Sequence, residues 1–153
     1  MMNQILRADI ADADEILELQ KLAYQSEAAI YTDWSLPPLT QTRDDIKREF
    51  HQAIFFKVCN AGKIIGSVRA LQHNDTCKIG RLIVHPDFRR KGAGTQLMAA
   101  IEAQFPAAQR FELFTGSRST GNVRLYERLG YQIFRTERLS LQVELVFMEK
   151  LRG

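Results

Sequence analysis

Cysteine is scarce in this chain of 153 residues. Cys59 and Cys77 are the only two, far apart and set in apolar, strand-like runs. That excludes a disulfide framework and a CxxC motif, and predicts two buried free thiols in a reducing compartment. Histidine is equally sparse: His51, His73 and His85 are scattered, so no metal site is expected. Nothing approaches the 18 or so consecutive apolar residues of a membrane span. The opening MMNQILRADIADADEI alternates apolar and acidic residues and has no basic-then-apolar leader, which predicts no export signal and a cytoplasmic protein. No internal repeat, low-complexity tract or second domain is visible, so residues 1–153 are expected to form a single domain. The charge excess is only +3, which does not call for nucleic acid. Much of it is concentrated in Arg89-Arg90-Lys91, a pattern that suits one anionic ligand.

What is present is a 45% hydrophobic, 25% charged composition, enough for one globular core. Gln4–Ala8 alternates as a first strand, and Asp12 is expected to open a helix with Glu15 as its capping partner. Ile16, Leu19, Leu22 and Ala23 give that helix its apolar stripe. Tyr31–Gln41 (YTDWSLPPLTQ) has two prolines and no period, and is expected to be the longest loop. Thr42 then restarts helix, with Asp45 at the capping position and Ile46 and Phe50 facing inward. Strands follow at Ile54–Cys59, Lys63–Leu71 and Thr76–Val84, joined by turns at Asn-Ala-Gly and His73-Asn74-Asp75. A helix carrying Leu97, Met98, Ile101 and Phe105 ends at Pro106. After it come a strand at Arg110–Thr115, a helix at Ser119–Leu129 closed by Gly130, and a final hairpin of Tyr131–Thr136 with Gln142–Lys150. The expected order is β-α-α-β-β-β-α-β-α-β-β, an α/β fold with a mixed central β-sheet flanked by helices.

The most informative stretch is Leu82-Ile83-Val84-His85-Pro86-Asp87-Phe88-Arg89-Arg90-Lys91-Gly92-Ala93-Gly94-Thr95. A strand runs into a basic, glycine-bearing turn and then a helix, whose first amides point outward with the positive end of the dipole. Glycines at 92 and 94 let a phosphate approach that backbone. Rival phosphate loops do not fit. No GxxxxGK[ST] run exists, and GxGxxG would need glycine where Leu97 stands. Glu112 falls where a ribose-binding acid would, but the turn from His85 to Gly94 is too long for that motif. Taken alone, the stretch suits an anion site and an ordinary strand-to-helix loop about equally.

Arg89-x-x-Gly92-x-Gly94, preceded by Leu82-x-Val84-x-Pro86, resembles the coenzyme A signature of the GNAT superfamily of N-acetyltransferases. Asn122-Val123-Arg124-Leu125-Tyr126-Glu127-Arg128-Leu129-Gly130-Tyr131 resembles that family's N-x-x-x-Y-x-x-x-G-[FY] segment. The resemblance implies the GNAT fold and transfer of an acetyl group from acetyl-coenzyme A (acetyl-CoA), without a metal, to a primary amine by direct attack. It implies that the backbone of Arg89, Arg90, Lys91, Gly92, Ala93, Gly94 and Thr95 holds the pyrophosphate. It further implies that Leu82, Ile83 and Val84 pair with the pantetheine arm, that Asn122 contacts the cofactor, and that Tyr126 protonates the departing thiolate. Core packing is the other reading of Tyr126.

One departure stands out. The strand Cys77–Val84 carries no acid, where many relatives have a carboxylate to deprotonate the amine. Glu112 through water, or an acid near Asp33, Asp44 or Asp45, is left as the source. Arg81 hints at an acceptor bearing a carboxylate or phosphate, the alternative being an exposed strand residue or a salt bridge. Tyr31 and Trp34, in the presumed loop, are expected to wall the acceptor pocket. The expected partner is a small-molecule or peptide amine, with a homodimer left open and no membrane. Acetylation of a protein or a charged tRNA, and a non-catalytic acyl-CoA-sensing module, are the competing readings.

Overall fold

The computed structural model describes residues 4–152. Seven strands form one sheet in the order β1-β2-β3-β4-β5-β7-β6: β1 (Gln4–Arg7), β2 (Ile54–Asn60), β3 (Lys63–His73), β4 (Thr76–Val84), β5 (Arg110–Gly116), β6 (Gln132–Arg138) and β7 (Glu144–Leu151). Only β4 and β5 are parallel; every other pair is antiparallel. The last two strands pair as expected, and β7 inserts between β5 and β6. The mixed sheet flanked by helices is the architecture read from the sequence.

Helices cover both faces. On one lie α1 (Ala13–Ala23) and, later in the chain, α4 (Arg43–Phe50). Their Ile16, Leu17, Leu19, Ala23 and Ile46 are buried with Phe55, Ile64 and Ile83. Phe50 stacks on Phe55 at 3.9 Å between centroids. Leu22, expected in the stripe of α1, is exposed, and Leu17 takes its place. On the other face α5 (Ala93–Ala103) and α6 (Thr120–Arg128) bury Leu97, Met98, Ile101 and Tyr126 against Val68, Ile79 and Phe111. Each such large apolar side chain contributes about 1.5–3 kcal/mol.

Two expectations fail locally. Helix α1 starts behind Asp12, as expected, but without the expected side-chain cap; a 3-10 turn at Ile10–Asp12 precedes it and Asp9 caps that turn: its carboxylate accepts from Ala11 N–H at 2.9 Å, and Asp12 returns a bond to Asp9 N–H at 3.0 Å. Glu15 is thereby free to accept from Ile64 N–H on β3, at 2.8 Å. The supposed loop Tyr31–Gln41 is also partly helical. It holds the end of α2 (Gln25–Tyr31) and the one-turn α3 (Pro37–Thr40). Its prolines occupy the first turn of α3, where a missing N–H costs nothing. The Thr42–Asp45 capping box forms as expected.

Both cysteines are free; Cys77 is buried and Cys59 half-buried. Burial, followed by the nearby Glu102 carboxylate, pushes the Cys77 thiol up to about 12, so it packs as a small hydrophobe.

Helix α5 approaches the sheet closely over Gly66. A Cβ there would stand 2.7 Å from Val58 Cγ1 and 3.1 Å from both Leu97 Cδ1 and the Ile83 carbonyl. The carbonyl belongs to a ladder strand and cannot yield. Gly66→Ala should therefore destabilise the fold by about 1–3 kcal/mol, measured as a lower urea midpoint with unchanged m-value; an unaltered midpoint would refute this packing.

Candidate active site

The site begins with a fault in β4. Gly80 stands opposite Arg69 and Ile83 opposite Ser67, so Arg81 and Leu82 together face Val68 alone. This is a β-bulge, and Arg81 adopts a left-handed φ of 52°, a conformation that costs a non-glycine residue roughly 1–3 kcal/mol. The extra residue reverses the alternation of the strand. Ile79 packs on the α5 side and Ile83 on the α1 side, although residues four apart in a regular strand share a face.

The sheet is already open at this point. β4 and β5 are paired only at Thr76–Lys78 with Arg110–Glu112, while β5 stays paired with β7 from Arg110 to Gly116. The remaining length of β4 thus presents an unpaired edge to β5. A cavity of about 940 Å³ fills the split, and Leu82, Ile83 and Val84 form part of its wall.

The basic loop closes one end. Arg90 (φ 63°) and Gly92 (φ 87°) are left-handed, and nothing lies within 4 Å of a Cβ built on Gly92, so backbone freedom rather than space requires glycine there. The first bond of α5 runs from Gln96 N–H to the Gly92 carbonyl at 3.0 Å. The amides of Ala93, Gly94 and Thr95 precede it and are left for a ligand. Arg89, Arg90, Gly92, Ala93, Gly94 and Thr95 line the cavity; Lys91 does not, and its ammonium instead sits 5.6 Å from the centre of the Phe88 ring. The Arg89 guanidinium is committed elsewhere, donating to the Ala23 carbonyl at 2.9 Å and to Ser26 Oγ at 3.3 Å. It ties the loop to the end of α1.

Sequence reasoning missed the opposite wall. Glu27 on α2 accepts from Ser119 Oγ at 2.6 Å and from Asn122 Nδ2 at 3.3 Å, and Asn122 also donates to Thr115 Oγ1 at 3.3 Å. Glu27 is the one carboxylate among the described residues lining this cavity, against five arginines: Arg89, Arg90, Arg118, Arg124 and Arg128. Contacts spanning more than ninety positions leave no local signal, although Asn122 itself was expected here. Three of the four acids named as alternatives are occupied. Glu112 pairs with Arg110 at 2.8 Å, Asp33 caps Ser35 and Asp45 caps α4.

Tyr126 is buried and does not itself line the cavity, although Asn122 and Leu125 of the same helix do; its ring stands edge-on to Tyr131 at 6.1 Å between centroids. Burial raises its pKa, and the neighbouring Tyr24 and Glu27, both in the cavity wall, raise it further. The phenol therefore stays protonated at neutral pH.

Tyr31 and Trp34 occupy neither cavity wall described here. Tyr31 is buried; its hydroxyl accepts from Arg118 N–H at 3.0 Å and shares a hydrogen bond with Ser119 Oγ at 2.8 Å. It presses so closely on Gly116 that a Cβ there would fall 1.9 Å from its hydroxyl. That is a structural clamp between α2 and β5. Trp34 is 56% exposed. The same segment does reach a second cavity of about 440 Å³, through Pro37, Thr40 and Gln41, and Arg81 lies in that cavity's wall.

This geometry coincides with what comparison with known proteins returns. The family model described as "Acetyltransferase (GNAT) family" matches residues 13–131, from α1 to the start of β6. The chain belongs to the GNAT acetyltransferase family. It is 32% identical over 120 residues to the UPF0157 protein YqkA of Bacillus subtilis, covering 78% of this chain and 34% of that protein. It is 29% identical over 137 residues to an uncharacterized N-acetyltransferase of Methanocaldococcus jannaschii, covering 79% of this chain and 57% of the relative. The chain thus spans between about a third and just over half of these relatives. Among solved structures, the PaiA N-acetyltransferase of Thermoplasma acidophilum, in complex with coenzyme A, superimposes with a TM-score of 0.82 at 16% identity, covering 99% of this chain and all of that one. At that identity the likeness is one of fold.

Gly94 offers a direct test of the loop. A Cβ on it would sit 3.4 Å from Leu125 Cδ2 and 3.8 Å from Leu82 Cδ2, so the first carbon is tolerated and a branched side chain crowds the amides. Coenzyme A at about 100 times its Kd should stabilise the parent by about 2.7 kcal/mol, several degrees in Tm. Gly94→Val should remain folded and lose the shift. A parent Tm unmoved by millimolar coenzyme A would remove this loop from donor binding.

Proposed function

We propose that the chain is an N-acetyltransferase that uses acetyl-CoA as donor and transfers the acetyl group to a primary amine by direct attack. The observation that carries this reading is the meeting, in one cavity, of an unpaired β4 edge with three outward amides of α5. An extended amide-bearing arm can add to such an edge as a strand does. A pyrophosphate suits the helix N-terminus and the surrounding arginines. Bound acetyl-CoA would supply the activated acetyl thioester.

The protein's own residues then have defined tasks. Main-chain groups of Ile79–Val84 hold the arm in the split. Ala93–Thr95 amides and the wall arginines neutralise phosphate charge. The amine must arrive neutral or lose its proton, and Glu27 is the wall carboxylate able to take it, directly or through water. Tyr126 holds a proton and donates it to the sulfur as negative charge develops there. Its raised pKa makes a free tyrosinate costly, so donation is coupled to the proton that the attacking amine gives up. No described residues form a cluster of three or more metal-ligating side chains, and none of these tasks needs one. No helix among the described residues is long and apolar enough to cross a membrane.

The test is release of coenzyme A thiol across polyamines, amino acids, aminoglycosides and peptides with free N-termini or lysines. With the best acceptor, Tyr126→Phe should lower kcat by about 10²-fold or more and leave the KM for acetyl-CoA close to the parent's. An undiminished kcat under conditions where chemistry limits turnover would return Tyr126 to a packing role. No thiol release with any amine, in a protein that coenzyme A still stabilises, would favour the acyl-CoA-sensing alternative.

A further inference from the structure

The second cavity, of about 440 Å³, is lined by Arg81 together with Gln41, Arg48, Glu49 and Gln52. Behind it the charges do not balance. Glu49 has both carboxylate oxygens engaged, one by the Arg69 guanidinium in an ion pair and the other by Gln41 Nε2 at 2.6 Å. Gln41 is held in turn by the buried Gln20, whose Nε2 donates to Gln41 Oε1 at 2.7 Å. Arg48 is paired with Asp45. Among the described residues Arg81 has no carboxylate partner, and its buried Nε has no hydrogen-bond acceptor at all. Arg69 therefore has a counter-ion and the neighbouring Arg81 has none. Burial and then the Arg81 charge press the pKa of Arg69 down, with Glu49 opposing them.

A half-buried cation beside a like charge is unfavourable unless something compensates it. The chain maintains this arrangement through the left-handed bulge that aims Arg81. The salt bridge that would have explained Arg81 as structural is absent. Its guanidinium borders the Tyr24 hydroxyl instead, whose pKa it lowers against the raising effect of burial, and Tyr24 belongs to the wall of the donor cavity. One tyrosine thus separates Arg81 from the place where transfer occurs.

We infer that the acceptor is a small amine that also carries an oxyanion, a carboxylate or a phosphate, and that Arg81, supported by Arg69, is the specificity-determining residue that seats it. The inference rests on the acetyltransferase reading for the amine and on the charge geometry for the oxyanion. A planar guanidinium suits bidentate recognition of either group. A phosphate or carboxylate entering the cavity that Arg81 lines supplies the missing counter-charge.

Matched acceptors test this. Amino acids are compared with their amides, which keep the amine and lose the carboxylate, and phosphoethanolamine is compared with ethanolamine. The expected result is a kcat/KM at least 10-fold higher for the anionic member of one pair; which pair responds says whether carboxylate or phosphate is read. Arg81→Gln should collapse that ratio to within about 2-fold, and Arg81→Lys should keep part of it. Arg81→Gly, which suits the positive φ, serves if Gln does not fold. Equal turnover of anionic and neutral partners by the parent, or a ratio preserved in both charge-removing variants, overturns the inference. Should no amine be acetylated, the transferase reading fails by itself, and the oxyanion seat is judged by saturation-transfer NMR with the same compounds. Binding of the carboxylates or phosphoethanolamine to the parent and its loss in Arg81→Gln upholds the seat; absence of binding to the parent overturns it.

Discussion

The bulge at Arg81 is the constraint on which the site depends. One residue beyond the register of β3 bends β4, reverses its facing and directs Arg81 to the α4 side. The strand has already left β5 after three paired residues, before the bulge is reached, and the split becomes a cavity only because α1 and α5 cover opposite faces. The strain of a left-handed arginine is small beside the burial that fixes the flanking Ile79 and Ile83, so the fold sustains it.

Electrostatics divide the labour between the two cavities. The larger has five arginines against Glu27, a balance suited to a donor with several phosphate charges. The smaller has its acids already committed, Glu49 to Arg69 and Gln41, Asp45 to Arg48, with Arg81 left over. Tyr24 stands between them, and Tyr126 has its proton retained by burial. The proposed proton donor, donor seat and oxyanion seat lie on three different elements, α6, the β4–α5 loop and the β4 bulge, with Tyr24 at the end of α1 among them.

Much of this was legible in the sequence because its causes are local. The Asn-Ala-Gly turn, the Thr42–Asp45 box, the apolar face of α5 and the glycine-bearing loop are each written within a few residues. Nine of the ten residues expected to flank the loop and strand line the larger cavity, together with Asn122; Lys91 is the exception. The failures have non-local causes. Asp12 stands at the start of α1 without capping it, because its carboxylate is bonded to Asp9 N–H and to Lys57 on β2, and Glu15 is bonded to β3. The Tyr31–Gln41 segment reads as loop because its two short helices draw their stability from tertiary contacts: Tyr31 packs on Gly116 and Arg118, and Gln20 bonds to the Pro38 carbonyl at 3.0 Å. Glu27 emerges only when α2 meets α6. The bulge has one local sign in Lys78-Ile79-Gly80-Arg81-Leu82, the isolated Gly80 inside a strand, but that sign does not say which neighbour takes the left-handed conformation.

Amide hydrogen exchange with and without coenzyme A tests most directly whether the β4–β5 split seats the donor. Slowed exchange concentrated in Ile79–Val84 and Arg90–Thr95, with β1 and β2 unaffected, is the expected result. Protection absent from both segments at saturating coenzyme A, or confined to strands remote from the split, would contradict it.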